Sequence, residues 1–425
     1  MAHVPSPARE LTVEITALAS GGSCVGTVVA PEDVAGKKAF IPYTIPGERV
    51  TATVQQNKKS FVNAELVAIQ RTAPARVPPP CPVFGQCGGC DLQHIELSAQ
   101  RQFKASMVED LLKIHGGIVA RDGVSVLGPD LPGFEYRRRM SFHINKKREF
   151  GLYRKNGRQV IEIDHCPIST PPINAFLGEN LDLVKECAPE IETVTVEDHD
   201  GTIFVALEVH PKNAEALATL LPKAAFKELE RRVPNIQVNY RHKTIYRPEA
   251  RASDAPPVGH FSQNNERANE LMLEYLTSLV TTDRVTDLYA GAGNISIPLA
   301  KAGHTVTAVE LDPQLVTFGQ ARAVAAGVAD RLTFHTKSCE KWVEKNTPDA
   351  TVVLDPPRSG ALEVCQHLSV DISPRLLYVS CYPPTFARDA QILHERGYEL
   401  VDVKVLDMFP QTYHSELIAI IEKSH

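Results

Sequence analysis

VTDLYAGAG, residues 285–293, reads as a short buried strand that runs into a glycine-rich turn, and a helix-patterned stretch from Ile295 to Ala302 follows at once. Strand, glycine turn and helix in that order let backbone approach a ligand at the carboxyl end of the strand. The turn offers G-A-G and lacks the full G-x-G-x-x-G of dinucleotide folds. Seventeen residues after Gly293, the run HTVTAV ends at Glu310. A carboxylate there can accept hydrogen bonds from both hydroxyls of a ribose. Asp287 is placed to orient the turn, and Asp312-Pro313 to cap the next helix.

A nucleoside ligand without a pyrophosphate suits this turn, which favours S-adenosylmethionine over NAD. Around it, a helix over Asn265–Val280 and the runs RLTFHTKS, ATVVLDPP, RLLYVSC, ELVDVKVLDMF and SELIAIIE predict a parallel, doubly wound, Rossmann-like α/β domain. Upstream, from Leu11 to about Arg71, short alternating stretches separated by turn residues predict a small OB-like β-barrel. APARVPPP, residues 73–80, carries four prolines and reads as a linker. An amphipathic helix over Leu97–His115, strands such as MSFHIN and TIFVALEVH, and a helix over Ala214–Leu229 predict an α+β middle domain. The chain of 425 residues therefore divides as 1–72, 73–255 and 256–425.

Hydrophobic residues make up 43% and charged residues 23%, ordinary values that exclude disordered and fibrous classes. The sequence shows no targeting segment and no run of ~20 apolar residues, so a cytoplasmic protein without membrane contact is expected, with a monomer as the default. A net charge of −6 argues against nonspecific nucleic-acid binding. Cations concentrate instead between Phe134 and Arg158, where Arg137, Arg138, Arg139, Lys146, Lys147, Arg148, Arg154, Lys155 and Arg158 meet only Glu135 and Glu149. With Tyr136, Phe142 and His143 among them, this island predicts phosphate contacts and base stacking.

Two further strand ends carry chemistry. TVVLDPPRSG (351–360) delivers Asp355 and then Arg358 beyond two stiffening prolines. RLLYVSCYPPTFARD (375–389) repeats the device with Cys381 before Pro383-Pro384. A cysteine so presented at a ligand crevice is a candidate nucleophile, whereas an ordinary free cysteine is a small buried hydrophobe. Uracil C5 attacks a methylsulfonium poorly until a thiolate adds at C6, and the C5 proton must later leave to a base. Glu416, in DMFPQTYHSE, is the candidate base, with His414 a weaker rival. Cys81, Cys87 and Cys90 lie in CPVFGQCGGC and Cys166 in DHCPIS; this spacing differs from paired zinc ribbons and can complete one four-thiolate site. Cys24, Cys187, Cys339 and Cys365 read as packing residues.

FSQNN (261–265), DLYAGAGN (287–294), LDPPRSG (354–360), VSCYPPTFARD (379–389) and DMFP…HSE (407–416) together resemble the RNA uracil-C5 methyltransferases that modify 23S ribosomal RNA and transfer RNA. The resemblance covers nearly the whole chain. It implies that Gln263, Tyr289, Glu310 and Asp355 contact S-adenosylmethionine, that Cys381 is the nucleophile and that Glu416 is the base. It implies a TRAM-type barrel, an RNA-facing FEYRRRMSFHIN segment, and an iron–sulfur (4Fe-4S) cluster rather than zinc on the four cysteines. Ribosomal RNA is the favoured substrate and transfer RNA the alternative. One departure stands out: the family pattern has Asn after the cysteine, and this chain has Tyr382. Two other classes lead to different expectations. An amine methyltransferase would not need Cys381, and a non-catalytic RNA-binding assembly factor would need neither Glu310 nor Asp355.

Overall fold

Alternating apolar residues at 11, 13 and 15 and again along the next hairpins bend a single sheet back on itself. A computed structural model describes residues 9–210, 216–248 and 263–424. In it β1 (Glu10–Leu18), β2 (Ser23–Ala30), β3 (Lys38–Pro42), β4 (Arg49–Asn57) and β5 (Phe61–Arg71) close into a barrel of order β1-β2-β3-β5-β4. Its core of Leu11, Val13, Ile15, Ile41 and Val50 is sealed by Leu92, Ile95 and Met107 from the segments that follow. The proline-rich stretch is anchored here too, for the Arg76 guanidinium pairs with the buried Glu48 at 2.6 Å.

The middle of the chain supplies two different sheets. Helix α1 (Leu97–Leu111) is capped by Glu96, continues as a π-turn to Gly116, and leads to β6 (Val124–Leu127). Then come β7 (Arg139–Ile144), β8 (Phe150–Tyr153), β9 (Val160–Glu162), α2 (Pro171–Glu186), β10 (Ile191–His199), β11 (Thr202–Val209), α3 (Ala216–Leu220), α4 (Ala224–Arg232), β12 (Ile236–Tyr240) and β13 (Lys243–Tyr246). Strands β7 to β13 form a seven-stranded sheet of order β13-β12-β11-β10-β7-β8-β9, backed by α2 and α4. The single helix expected over 214–229 is two, because Pro222 cannot donate to a helical ladder; residues 214 and 215 lie outside the described residues. Strand β6 leaves this sheet altogether and pairs in parallel with a strand near the C-terminus. Periodicity marks Val124–Leu127 as a strand but is silent about which sheet it joins.

From α5 (Glu266–Leu279) onward the chain alternates: β14 (Arg284–Leu288), α6 (Ser296–Lys301), β15 (Thr305–Glu310), α7 (Pro313–Ala325), β16 (Leu332–Thr336), α8 (Cys339–Val343), β17 (Thr351–Leu354), α9 (Leu362–His367), β18 (Arg375–Ser380), α10 (Pro383–Glu395), β19 (Tyr398–Leu406) and β20 (Glu416–Lys423). The sheet order is β16-β15-β14-β17-β18-β20-β19-β6. The parallel, doubly wound arrangement holds for β14 to β18, and β20 is inserted antiparallel between β18 and β19. A hairpin, with no crossover helix, joins the last two strands, and that connection requires antiparallel pairing. Among the described residues no helix is long and apolar enough to cross a membrane.

One buried ionic cluster fixes α1 to the loop between β19 and β20. Lys104 (0% exposed) donates to Asp407 (1% exposed) at 2.5 Å and to the Phe409 carbonyl at 3.2 Å. Arg101 donates to the other Asp407 oxygen at 3.4 Å and to the carbonyls of Pro129 and Leu131. Removing one partner of a buried pair leaves an uncompensated charge, which costs about 3–5 kcal/mol. Asp407→Leu, which leaves both Arg101 and Lys104 buried without their anion, should therefore lose about 3 kcal/mol or more in urea unfolding; a loss below about 1 kcal/mol would contradict this reading.

Candidate active site

At the carboxyl end of β14 the backbone turns through Tyr289 (φ 65°), Gly291 (φ 55°) and Gly293 (φ 79°). A non-glycine residue at positive φ is held only by its surroundings. The Tyr289 amide donates to Cys339 Sγ at 3.1 Å, and its hydroxyl donates to Glu340 Oε1 at 2.9 Å. Cys339 thus braces the strained residue as well as packing. A Cβ on Gly293 would stand 3.1 Å from the Phe334 ring and 3.2 Å from Ile297, so glycine suits both conformation and space.

The Glu310 carboxylate at the end of β15 accepts from the Gly291 amide at 2.9 Å and from the Asp312 amide at 2.8 Å. Each oxygen keeps a lone pair for a ligand hydroxyl. Asp287 is buried beneath the turn and accepts from the Ser296 hydroxyl at the start of α6; its second oxygen, Oδ1, has no partner. Burial pushes its carboxyl up to about 7, with Asp355 and Glu310 adding to the rise against the Ser296 bond. Gln263 lies two residues ahead of Asn265, which caps α5 through the Ala268 amide. Phe261 and Ser262 of the FSQNN motif lie outside the described residues.

Sheet register brings the chemical residues together. Leu354 pairs with Tyr378, and Ser380 pairs with Leu417, so Asp355, Cys381 and Glu416 emerge at one end of three adjacent strands. Burial, then Glu416 and Asp355, push the half-buried Cys381 thiol up to about 11, while Arg358 pulls the other way. Burial raises Asp355 to about 6. Burial and the Asp355 charge hold Glu416 well above the usual carboxylate range. His414, half-buried between Phe409 and Tyr413, is pushed down by burial first and then by Arg358, which favours its neutral form.

Residues that sequence reasoning did not single out hold these groups in place. Asp389, fully buried on α10, accepts from the Ala361 amide and the Tyr378 hydroxyl, both at 2.6 Å. Arg388 donates to the Ser359 carbonyl at 2.9 Å, and the Thr385 hydroxyl to the Arg358 carbonyl at 3.1 Å. The loop carrying Arg358 is thereby stapled to the helix that follows Cys381. Asp389 and Arg388 stand inside the VSCYPPTFARD motif, and that position was the available signal.

The cysteine segment docks on the far side of the same loop system, where the Asp91 and Leu92 amides both donate to the Gln411 carbonyl, at 2.8 and 2.9 Å. Cys81, Cys87, Cys90 and Cys166 are free thiols. The first three are each pushed up by burial first and, among smaller causes, by Cys166. Among the described residues no three His, Cys, Asp or Glu side chains are gathered closely enough to enclose a single metal ion.

The basic island is not the open patch expected from sequence. Arg138 is paired with Asp200 and Glu266, Arg139 with Glu197, and Lys155 with Asp91. Tyr136 (5% exposed) and Phe142 (0%) belong to the core of the middle sheet, so neither can stack on a base. Tyr136 instead donates to the Pro410 carbonyl at 3.0 Å. The exposed cations are Lys146, Lys147 and Arg148 at the β7–β8 turn and Arg154 and Arg158 at the β8–β9 turn. His143 remains half-exposed, stacked on Tyr153 at 3.6 Å.

Barrel, middle sheet and glycine-turn α/β domain, with a cysteine between two carboxylates at the strand ends, define an enzyme of the methyltransferase fold. Residues 255–424 match the tRNA (Uracil-5-)-methyltransferase family model, and residues 7–67 match the TRAM domain. The chain is 33% identical over 416 residues, 91% of each chain, to the 23S rRNA (uracil(1939)-C(5))-methyltransferase RlmD of Shewanella sp. (strain ANA-3). It is 32% identical to the enzyme of that name from Shewanella sediminis, over 98% of each chain. The crystal structure of Pyrococcus abyssi tRNA (uracil-54, C5)-methyltransferase with S-adenosyl-L-homocysteine superposes with a TM-score of 0.71 at 22% identity, covering 97% of this chain and all of that one, and shows the same fold. The chain belongs to the RNA (uracil-C5)-methyltransferase family, whose members depend on S-adenosylmethionine.

The raised thiol has a direct consequence in the free protein. Near pH 8 a thiol with a pKa of about 11 is ionised in about one molecule in a thousand. Alkylation of the Cys381 peptide by iodoacetamide, followed by mass spectrometry, should keep rising roughly tenfold per pH unit beyond pH 9, where an unperturbed cysteine levels off. A plateau at or below pH 9 would contradict the geometry.

Proposed function

We propose that this chain forms 5-methyluridine in 23S ribosomal RNA, with Cys381 adding to C6 of the uracil and Glu416 removing the C5 proton. The supporting observation is the convergence of Asp355, Cys381 and Glu416 at one end of three neighbouring strands beside the glycine turn. The site fits S-adenosylmethionine. Asp287 Oδ1 is buried without a partner, Glu310 keeps free lone pairs, and the acid groups repel one another until a cation arrives. Gln263, Tyr289, Glu310 and Asp355 would hold the cofactor, which when bound supplies the methyl group and a positive sulfonium. That charge favours ionised neighbours.

The residue chemistry then runs in order. The Cys381 thiol releases its proton to solvent, and the thiolate sulfur bonds to C6, moving the C5=C6 electron pair onto C5. C5 takes the methyl group. The Glu416 carboxylate, kept ionised by the bound positive charge, accepts the C5 proton and becomes the neutral acid that burial favours; the pair returns to C5=C6 and Cys381 leaves as a thiolate. An amine methyltransferase would use neither residue.

The four cysteines fit a 4Fe-4S cluster. All four are free thiols, and their spacing differs from that of paired zinc ribbons and can complete one four-thiolate site. The Gly89 amide donates to Cys87 Sγ at 3.4 Å, the kind of bond that tunes the potential of such a cluster. The barrel and the two cationic turns would grip RNA while the target base is turned out of its stack.

Incubation with 5-fluorouridine-containing 23S RNA and S-adenosylmethionine should give a stable adduct on Cys381, absent in Cys381→Ala. Glu416→Gln should form an adduct with unmodified RNA and slow release by about 10²-fold or more. No adduct in the native protein would sink the covalent reading. Mapping 5-methyluridine in cells with and without the protein separates ribosomal from transfer RNA. Purification without oxygen should yield iron and sulfide; abundant zinc without iron would overturn the cluster assignment.

A further inference from the structure

Tyr382 stands directly after Cys381, and the structure gives this residue a physical role. Tyr382 opens α10. Its amide donates to Ser380 Oγ at 3.1 Å, and its carbonyl accepts from Thr385 and Phe386 at 3.2 and 3.3 Å, yet its side chain makes no cap bond. Asn at such a position would cap the helix through its side-chain oxygen. Here the ring is free of that duty and lies under the Arg358 guanidinium, 5.1 Å from centroid to carbon.

Thr385 makes this contact reproducible. Its hydroxyl lies within bonding distance of two carbonyls, Arg358 O at 3.1 Å and Tyr382 O at 3.0 Å, so the two backbones are tied to one atom. The Arg358 side chain itself is exposed and has no ion pair or hydrogen bond among the described residues. A long flexible cation left in that condition samples many rotamers. The Tyr382 face is what restrains it, by the attraction of a guanidinium for an aromatic quadrupole.

We propose that Tyr382 is a positioning residue that holds the Arg358 guanidinium toward the Cys381 thiol through a cation–π contact. The proposal rests on Cys381 being the attacking group. The need for such a cation is plain from what faces the sulfur: Glu416 from β20 and Asp355 from the end of β17 both oppose a thiolate, His414 favours its neutral form, and Arg358 is the charged side chain that favours ionisation, alongside a backbone hydrogen bond at Cys381 itself.

The test reads the thiol in the free protein, without RNA, so its outcome does not depend on which nucleic acid is the substrate. The pH profile of Cys381 alkylation by iodoacetamide would be compared in the native chain, Tyr382→Phe, Tyr382→Leu and Tyr382→Asn, with thermal unfolding alongside. Phe keeps the aromatic face and should keep the profile. Leu and Asn should move it upward by about half a pH unit, slowing alkylation about threefold at fixed pH. Asn also restores a helix cap, so it should slow alkylation while unfolding at the same or a higher temperature, an outcome that a merely structural role for Tyr382 does not produce. In an Arg358→Gln background, Tyr382→Leu should have no further effect. An unchanged profile in both Leu and Asn, or a shift in Phe as large as in Leu, overturns the proposal. A failure of the RNA adduct with the tyrosine effect intact would instead refute the covalent methylation reading alone.

Discussion

The buried contact of Arg101 and Lys104 with Asp407 is the constraint on which the site's assembly depends. Two cations and one anion lie in a place that water does not reach, and the surplus positive charge is spread over the carbonyls of Phe409, Pro129 and Leu131. Such a cluster is a poor source of net stability, because desolvation consumes most of the attraction. Its value is that few other arrangements of the chain satisfy it. It determines where the 407–416 loop leaves β19, and so where Glu416 begins β20, one strand from Cys381.

With the loop fixed, the electrostatics of the site follow from topology. Parallel strands β14, β15, β17 and β18 all present their carboxyl ends to one crevice, and each ends in an acidic group or a thiol. On top of what burial does, Asp355 and Glu310 raise the proton affinity of Asp287, Glu416 and Asp355 raise that of Cys381, and Asp355 raises that of Glu416. Without a ligand the crevice is short of positive charge. A cationic cofactor completes it, which explains how four acids can be tolerated at low exposure.

Much of this was legible in the sequence. The glycine turn, Glu310, Asp355, Cys381 and Glu416 stand at strand ends because hydrophobic runs and stiffening prolines announce strand ends locally. What stayed hidden depends on partners remote in the chain. Gln100, Arg101 and Lys104 look like the wet face of α1, yet all three are buried, because their partners lie some three hundred residues away at Asp407 and Gln411. The arginine triplet after Tyr136 reads as an RNA surface until Glu197, Asp200 and Glu266 fold against it. Strand β6 reads as part of the middle domain because nothing in four residues says which sheet edge is open. Composition and period report local preference, whereas pairing across the fold decides which polar groups remain available.

The same remote pairing dissolves the boundary between the cysteine segment and the catalytic loop. Gln411, at φ 67°, accepts from Asp91 and Leu92 through one carbonyl and exchanges side-chain and backbone bonds with Gln100, at 2.9 and 3.1 Å. Its side-chain amide also reaches the Gly133 carbonyl at 3.3 Å, just ahead of the Tyr136 that holds Pro410. Five residues beyond Gln411 stands Glu416. A residue in a left-handed conformation persists because its neighbours over-determine it, and here those neighbours come from the cysteine loop, from α1 and from the entry to the middle sheet. The position of the proposed base is thus set jointly by segments that a domain division would assign elsewhere. This accounts for a chain in which the cysteine segment, with the barrel seal beside it, lies far in sequence from the methyl-transfer crevice yet is tied to it by buried polar contacts.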